Sequence, residues 1–430
     1  MTSPVVGFAG LTHLGLVSAI GTASKGFRVV GYDADTSRVR AIATGRLPVL
    51  EPDLDELARR HFAQLSYSDK TDALRVCDIV YIATDVPTDD RGQSDLSAIS
   101  ALIETIIPVL GPNTLLCVLC QVPPGFTRRL QFDPARLFYQ VETLVFGRAV
   151  ERATKPERFI VGCADPARPL PAAYAALLGA FNCPILPMRY ESAELAKIAI
   201  NCCLVASVSV ANTLADLSER IGADWHEIAP ALRLDRRIGP YSYLAPGLGI
   251  AGGNLERDLA TVLRLSEATG SEASVIAAFV NNSRSRRDWV LRLIHREILT
   301  RKAVPTLAIL GLSYKENTHS TKNSPSLTLI EHLRAWPIRV YDPAVSAQAV
   351  NHPSVTASAT ALEAARGSDA LLVMTPWPEF RGLAPADLAD VMTGRTIVDP
   401  FRVFEPAVVR AAGLSYFTLG APPLETMGNS

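Results

Sequence analysis

Several signatures that would assign a chain quickly to a functional class are missing from this sequence. Forty-two basic and 43 acidic residues leave a formal net charge of -1 over 430 residues, so no excess charge indicates a nucleic-acid or anionic membrane partner. No cluster of histidine, cysteine and acidic residues has metal-ligand spacing, and no GxSxG motif of a nucleophilic serine occurs. With 48% hydrophobic and 20% charged residues, the chain has the composition of a globular protein of two or three domains.

Cysteines are few, and their spacing is unlike that of secreted disulfide proteins. The seven are Cys77, Cys117, Cys120, Cys163, Cys183, Cys202 and Cys203. Most lie in apolar runs, as reduced core thiols do. The CxxC of TLLCVLCQV falls in a strand-like run, where alternation places its two thiols on opposite faces, which disfavours a redox motif. We therefore expect a cytoplasmic protein.

Two uncharged segments resemble membrane signals superficially. The N-terminal segment, up to residue 24, lacks a basic n-region and is interrupted by four glycines. Residues 198–215 contain asparagine, serine and threonine and suit a buried helix better. We expect no membrane partner.

The N-terminal stretch VVGFAGLTHLGLVSAIGTASKGFRVVGYDAD predicts a strand, a glycine turn, a helix, a second strand and an acidic residue. Asp33 follows Gly10-x-Thr12-x-x-Gly15 by about twenty residues, where a dinucleotide fold places the carboxylate for the ribose hydroxyls, and it favours NAD over NADP. Thr12 replaces the usual middle glycine and either holds the pyrophosphate away or offers it a hydroxyl. The expected cofactor-binding residues are Gly10, Thr12, Leu14, Gly15, Asp33, Arg38, Thr84 and Gln121.

Strand and helix signals alternate through residues 1–185 and again through residues 302–430. The second copy includes PTLAILGLSY, IRVYDP and SDALLVMTPWP, with Asp342 in the place of Asp33 but without a GxGxxG turn. Residues 186–301 between them show helical periodicity, including one long helix that ends near Gly222. We therefore predict an α/β protein with two doubly wound, Rossmann-like domains joined by a central helical region, and a ligand cleft between the domains.

Two further stretches carry chemistry. Lys197 and Asn201 are four residues apart in an apolar helical run, so they share a face. A buried lysine is costly, so Lys197 pairs with a carboxylate, faces a polar cleft or extends to the surface. The glycine-rich PGLGIAGGNLERD, from Pro246 to Asp258, is suited to close contact with a polar small molecule.

From end to end, the chain resembles the UDP-glucose/GDP-mannose dehydrogenase family. The matching motifs are the N-terminal βαβ unit, LPVLEPDLDEL, PTDDRGQSDLS, VPPGFTRRL, ESAELAKIAIN, LDRRIG, YLAPGLG, Asp258 and LGLSYKENTHSTKNSP. Their order makes the set far more specific than any single motif. The resemblance implies an NAD-dependent oxidation of C6 of a nucleotide-linked hexose, from alcohol to carboxylate, through an aldehyde and an enzyme-bound thioester. It also implies dimerisation through the central region and nucleotide-sugar binding in the C-terminal domain.

The resemblance assigns roles to five catalytic positions. Lys197 and Asn201 match the pair that steadies the developing oxyanion, which is preorganised electrostatic stabilisation. Asp258 matches the nearby carboxylate, and Glu142 in QVETLVFG matches the first glutamate of NPEFLREG, a general base. Asn254, however, stands where PGxGFGGSCFPKD has its nucleophilic cysteine.

Other positions depart from the family pattern as well. Arg257 replaces a lysine, Gln121 the threonine of an STVP loop, and Phe146 the second glutamate of NPEFLREG. An amide at the thiol position cannot add to an aldehyde, which closes the thioester route. Cys120 and Cys202 are weak substitutes, because covalent attack demands placement within about an ångström.

Substrate contacts implied by the resemblance lie in the second half of the chain. Arg237 matches an arginine that reaches the neighbouring subunit's site, which implies a homodimer or higher oligomer, although a solvated loop charge is the alternative. Lys315 matches a sugar-contacting lysine, or is a surface lysine. Altered residues around THSTKN and VDPFR favour a nucleotide-linked sugar in general over UDP-glucose. The expected substrate-binding residues are Tyr243, Leu244, Gly247, Gly252, Arg237, Lys315 and Arg402.

Three functions remain open at this point. The first is an NAD-dependent dehydrogenase that removes one hydride, or two if water replaces the thiol. The second is a redox-neutral epimerase that uses retained NAD, and the third is a silent nucleotide-binding protein. The retained Lys197, Asn201, Glu142 and Asp258 disfavour the silent alternative, because a protein without catalysis has little use for buried charges. The first function is the leading one.

Overall fold

The computed structural model describes residues 3–89, 92–350 and 352–424, so Asp90 and Arg91 of the PTDDRGQSDLS motif lie outside the described residues. The chain divides into two compact units at the bond between Ile200 and Asn201. Each unit is built around one β-sheet. The division in residues 1–185, 186–301 and 302–430 remains a prediction.

The first unit contains an eight-stranded sheet in the order β3-β2-β1-β4-β5-β6-β7-β8. Its strands are β1 (Val5–Ala9), β2 (Arg28–Tyr32), β3 (Leu65–Ser68), β4 (Ile79–Ile82), β5 (Leu115–Val118), β6 (Leu137–Gln140), β7 (Phe159–Cys163) and β8 (Ile185–Arg189). Neighbouring strands are parallel except for β6 and β7. The first six strands have the order of a dinucleotide-binding fold.

Helices cover both faces of this sheet. They are α1 (His13–Ala23), α2 (Thr36–Ala43), α3 (Leu54–Arg60), α4 (Ser97–Ile106), α5 (Ala149–Thr154), α6 (Ala172–Gly179) and the start of α7 (Tyr190–Ile221). Alternate residues of the strands belong to two hydrophobic clusters, one on each face of the sheet. Cys117 and Cys120 belong to different clusters and so lie on opposite faces. The buried strands are therefore continuous apolar runs, as expected where both faces of a parallel sheet are covered.

The second unit contains a six-stranded parallel sheet in the order β11-β10-β9-β12-β13-β14. Its strands are β9 (Leu307–Leu310), β10 (Ile338–Tyr341), β11 (Val355–Ala357), β12 (Ala370–Val373), β13 (Thr396–Val398) and β14 (Ser415–Phe417). Its helices after α7 are α8 (Trp225–Leu234), α9 (Asn254–Thr269), α10 (Ser274–Arg287), α11 (Trp289–Ile294), α12 (Pro325–His332), α13 (Ala361–Ala365), α14 (Pro385–Val391) and α15 (Pro406–Ala411). The predicted fold class, with two Rossmann-like sheets and a long central helix, is confirmed.

The internal repeat in the sequence corresponds to the same turn built twice. Gly10 after β1 has φ +95°, and Gly311 after β9 has φ +97°. In each unit an aspartate at the end of the next strand accepts a hydrogen bond from the N–H that follows this glycine, at 2.7 Å for Asp33 and 2.6 Å for Asp342. The carboxylate therefore holds the strand–turn junction in both units.

Helix α7 accounts for the apolar segment that resembled a membrane signal. It is the one helix, within the ranges described, that has the length and composition to cross a membrane. Tyr190 and Ala193 in its first turn belong to the hydrophobic core of the first unit. The helix ends before Gly222, whose φ is +82°, so residues 198–215 lie within one continuous helix of this fold.

Gly15 sets the closest packing in the first unit, and replacing it tests the turn. In Gly15→Ala the new Cβ would lie 1.8 Å from the Gly10 carbonyl oxygen, so the variant should lose about 3 kcal/mol or more of unfolding free energy. Chemical denaturation measures the loss. The control is Gly179→Ala at the end of α6, where no atom lies within 4 Å of the new Cβ. Equal stability of both variants would contradict the described turn.

Candidate active site

The glycine turn brings the start of α1 against the end of β1. A Cβ on Gly15 would overlap the Gly10 carbonyl oxygen, and a Cβ on Gly10 would lie 2.9 Å from that of Thr84. Leu14 is buried in the same turn. Because no side chain separates the two elements, α1 presents its N-terminal backbone at the carboxyl end of the strand, where a dinucleotide fold binds pyrophosphate.

Asp33 occupies the predicted ribose position in a buried setting. Its Oδ2 accepts hydrogen bonds from the Leu11 N–H at 2.7 Å and from Arg38 Nη1 at 2.8 Å. Its Oδ1 accepts from the Asp35 N–H at 2.9 Å. The carboxylate is thus fixed at the end of β2, and its charge there disfavours the 2′-phosphate of NADP.

Asp85 is a neighbour of the cofactor turn that the sequence analysis missed. Thr12 precedes α1, but its hydroxyl makes no capping hydrogen bond and instead accepts from the Asp85 N–H at 2.9 Å. In return, Asp85 Oδ2 accepts from the His13 N–H at 3.0 Å. The backbone of the turn therefore fits NAD, while a carboxylate holds one of the N–H groups that its pyrophosphate would meet.

The EP motif of LPVLEPDLDEL reinforces the same turn. Glu51 has a fully buried side chain, and it accepts hydrogen bonds from His13 Nε2 at 2.8 Å and from the N–H groups of Gly147 and Ala149. The ring of Phe146 lies 4.2 Å from that of His13, measured between centroids. Phe146, which replaces a glutamate of the family motif, thus packs against the first residue of α1.

Lys197 meets a carboxylate in the first unit. Its Nζ lies 3.2 Å from Glu142 Oε2, and the two side chains are only 12% and 17% exposed. Glu142 also accepts a hydrogen bond from the Leu144 N–H. Of the three environments considered for Lys197, the structure shows the ion pair. A cation, the Lys197 ammonium, therefore lies next to a proton acceptor, the Glu142 carboxylate.

Glu194, one turn before Lys197 on α7, fixes the loop that follows Gln121. Its buried carboxylate accepts hydrogen bonds from the N–H groups of Gly125 at 2.5 Å and Thr127 at 2.8 Å. Burial raises the pKa of this carboxyl above its ordinary value. Gln121 itself is half-buried, and its loop is therefore anchored from beneath by helix α7.

The glycine-rich loop of the second unit delivers Asn254 to a helix start. Gly252 and Gly253 have φ +86° and +91°, and Asn254 is the exposed first residue of α9. Earlier in the loop, the Gly247 N–H donates to Asn212 Oδ1 at 2.8 Å. The glycines thus shape the backbone around the position at which the motif comparison expects a thiol.

Asn201 and Asp258 are joined within the second unit. Asn201 Nδ2 donates to Asp258 Oδ2. Asp258 is 1% exposed, and its other oxygen lies 3.4 Å from Nε of the buried Arg257. The carboxylate therefore orients the amide and compensates a buried cation at the same time.

The two thiols considered as substitutes are poorly suited to nucleophilic attack. Burial raises the pKa of Cys120 to about 12 and that of Cys202 to about 11. The thiolate is the reactive form of cysteine, so this burial disfavours both residues as nucleophiles.

The expected substrate residues fall in different environments. Tyr314 lies against Gly252, where a Cβ would be 2.7 Å from its ring, and the Lys315 ammonium lies 5.7 Å from the centroid of that ring. Tyr243 is exposed, whereas Leu244 is buried and its carbonyl accepts from Trp225 Nε1. Gly252 thus lies against Tyr314, the residue that precedes Lys315 in the chain.

The two expected arginines are both ion-paired within the second unit. Arg237 is 88% exposed and pairs with Asp235 at 2.7 Å. Arg402 pairs with Asp224 at 3.0 Å, and Asp224 also accepts from the His226 N–H at the start of α8. Burial, together with the Arg402 guanidinium, lowers the pKa of His226.

Comparison with known families decides the identity of this arrangement. Three consecutive domains of one family match the chain: its NAD binding domain at residues 5–177, its central domain at residues 191–284 and its UDP binding domain at residues 308–406. The chain belongs to the UDP-glucose/GDP-mannose dehydrogenase family. The enzyme is accordingly an NAD-dependent oxidoreductase of the nucleotide-sugar dehydrogenase type, and its cofactor is NAD.

Relatives match over nearly the whole length of this UDP-glucose/GDP-mannose dehydrogenase family member. UDP-glucose 6-dehydrogenase TuaD of Bacillus subtilis is 28% identical, with 96% of this chain and 92% of the relative covered. A UDP-glucose 6-dehydrogenase of Pseudomonas aeruginosa is 27% identical, with 96% of each chain covered. The structure of a UDP-glucose dehydrogenase from Pyrobaculum islandicum superposes with a TM-score of 0.84 at 26% identity and covers 98% of both chains.

The buried pair of Arg257 and Asp258 yields a stability prediction for this enzyme. Asp258→Ala leaves the guanidinium without its carboxylate and should lower the free energy of unfolding by about 3 kcal/mol. Chemical denaturation of the purified chain measures it. Adding Arg257→Met should recover most of the loss, and a single variant as stable as the original enzyme would show that the carboxylate does not compensate Arg257.

Proposed function

We propose that this enzyme oxidises a nucleotide-linked hexose by hydride transfer to NAD and stops at the carbonyl product, without a thioester. The observation that carries the proposal is the retained ion pair of Lys197 and Glu142 in a chain whose thiol position holds Asn254. The names of the relatives, UDP-glucose 6-dehydrogenases, support a nucleotide sugar as the substrate class. NAD, when bound, supplies the hydride acceptor.

The proton of the substrate hydroxyl has an acceptor in Glu142. The carboxylate accepts this proton as the carbon loses its hydride, so the alcohol becomes a carbonyl and two hydrogens leave the sugar. The Lys197 ammonium, 3.2 Å from the carboxylate, stabilises negative charge that develops on the substrate oxygen. Its limited exposure strengthens that interaction, because little water screens it.

The side-chain amide of Asn201 is already oriented before the reaction begins. Asp258 accepts one of its N–H groups and is itself buried beside Arg257. We assign Asn201 the role that the family resemblance implies, stabilisation of the developing oxyanion, with Asp258 as its positioning residue. A donor held in advance costs no reorganisation in the transition state.

Asn254 determines where the reaction ends. A second hydride can leave only from a tetrahedral adduct of the aldehyde, and an amide does not form that adduct. Burial raises the pKa of Cys120 and of Cys202, which disfavours either thiol as a substitute nucleophile. The carbonyl compound is therefore the proposed product.

The proposal is tested by measuring NADH and the mass of the sugar together, with NAD and a panel of nucleotide-hexoses. We expect one NADH per sugar and a product lighter by two hydrogens. Two NADH per sugar would mean that water replaces the thiol. A sugar of altered configuration and unchanged mass, formed without NADH, would identify a redox-neutral enzyme. No reaction with any sugar would identify a silent binding protein.

Two variants control this measurement. Lys197→Ala should abolish turnover and leave NAD binding unchanged, so unchanged turnover would contradict the site assignment. Asn254→Cys places a thiol at the first position of α9, where the helix terminus favours the thiolate. This variant should release a second NADH per sugar, which connects the one-step stoichiometry directly to the missing nucleophile.

We further propose that the enzyme is a homodimer with Arg237 directed to the partner subunit. Four apolar side chains of α7 recur at intervals of three or four residues and are 40–66% exposed; they are Val210, Leu214, Leu217 and Ile221. An exposed apolar stripe of this kind marks an interaction surface. The matched central domain supports residues 186–301 as the dimerisation region. On either side of it we propose one domain at residues 1–185 and another at residues 302–430. We also propose that the protein is cytoplasmic.

Leu217→Glu tests the dimer. A charge within the stripe should convert the protein to monomers, as measured by sedimentation velocity, because burying an unpaired carboxylate in an interface is costly. The matched control is Val408→Glu, which introduces the same charge at a site of similar exposure on α15. Identical association of both variants would place the interface elsewhere.

A further inference from the structure

The contact between Asp85 and the first turn of α1 has no role in the reaction described above. Its two hydrogen bonds are reciprocal: the His13 N–H donates to the carboxylate, and the Asp85 N–H donates to the Thr12 hydroxyl. The partners are separated by 72 and 73 residues in the chain. The loop after β4 is thus attached to the turn after β1 through the residue that replaces the middle glycine of the motif.

This contact is absent from the equivalent turn of the second unit. Gly10 packs against Thr84, and Gly311 packs against Thr375 in the same way. The residue after Thr84 is Asp85, whereas the residue after Thr375 is Pro376, which has no carboxylate. The shared fold therefore does not require an acidic residue here, and the contact belongs specifically to the unit that binds NAD.

A carboxylate and a pyrophosphate are both favoured at the N-terminus of α1. Free N–H groups and the positive end of the helix dipole attract either anion. The two anions repel one another, so they do not share the N–H of His13. Asp85 is exposed, which leaves it room to move aside without disturbing the core.

We propose that Asp85 sets the affinity of this enzyme for NAD by occupying the start of α1, from which the pyrophosphate must displace it. The proposal rests on the NAD cofactor and not on the identity of the sugar. Weakened cofactor binding favours exchange of NADH for NAD at each turnover. A net dehydrogenase requires that exchange, whereas a redox-neutral enzyme must retain its cofactor.

The test is the dissociation constant of NAD for the full-length enzyme and for Asp85→Asn, measured by calorimetry in the absence of sugar. The variant should bind NAD about fivefold more tightly, the effect of removing one unit-charge repulsion at about 4 Å in water. ADP-ribose should show the same gain and adenosine none, because adenosine has no pyrophosphate. The gain should shrink as salt concentration rises.

Asp89→Asn is the matched control, since Asp89 is an exposed carboxylate of the same loop and accepts a hydrogen bond from the Gln93 N–H. It should leave the NAD affinity unchanged. Equal or weaker NAD binding by Asp85→Asn would overturn the proposal, as would an equal gain for adenosine or an absence of NAD binding by both proteins. Because no sugar is present, failure of turnover leaves this test intact, and its own failure leaves the proposed oxidation standing.

Discussion

The close approach of α1 to β1 is the constraint on which the cofactor half of this enzyme depends. Gly15 lies so near the Gly10 carbonyl that no side chain fits between them. This contact aims the first N–H groups of α1 at the carboxyl edge of the sheet. It also brings the Leu11 N–H to Asp33, so one turn fixes both the predicted pyrophosphate position and the predicted ribose position.

Buried charges impose the second constraint. An ammonium or guanidinium away from water is tolerated only beside a carboxylate, and the chain supplies Glu142 for Lys197 and Asp258 for Arg257. Each ion pair keeps a buried cation charged, either for catalysis or for the stability of the fold. Each pair lies within its own unit, so each unit compensates its own buried cation.

Parts of the fold were accessible to sequence reasoning and others were not. Strands β1 and β9 stand out because each is an apolar run followed by a glycine turn, and β4 stands out as a continuous apolar run. Strand β6 has only a weak signal in the sequence, since its four residues after FDPAR give too little periodicity, and its antiparallel pairing with β7 is a tertiary feature. Likewise, Glu194 looked like an ordinary helix residue, and only its burial beneath the Gln121 loop gives it a role.

Local patterns in the sequence were sufficient for the fold class and the NAD cofactor, because each depends on residue types at short, fixed spacings. The tertiary structure decided which charges meet: Lys197 with Glu142, Asn201 with Asp258, and Asp85 with the start of α1. These partners lie more than fifty residues apart, as the sequence separation of 57 between Asn201 and Asp258 illustrates. No local periodicity encodes such a pairing, since it arises only when separate strands and helices place their ends side by side.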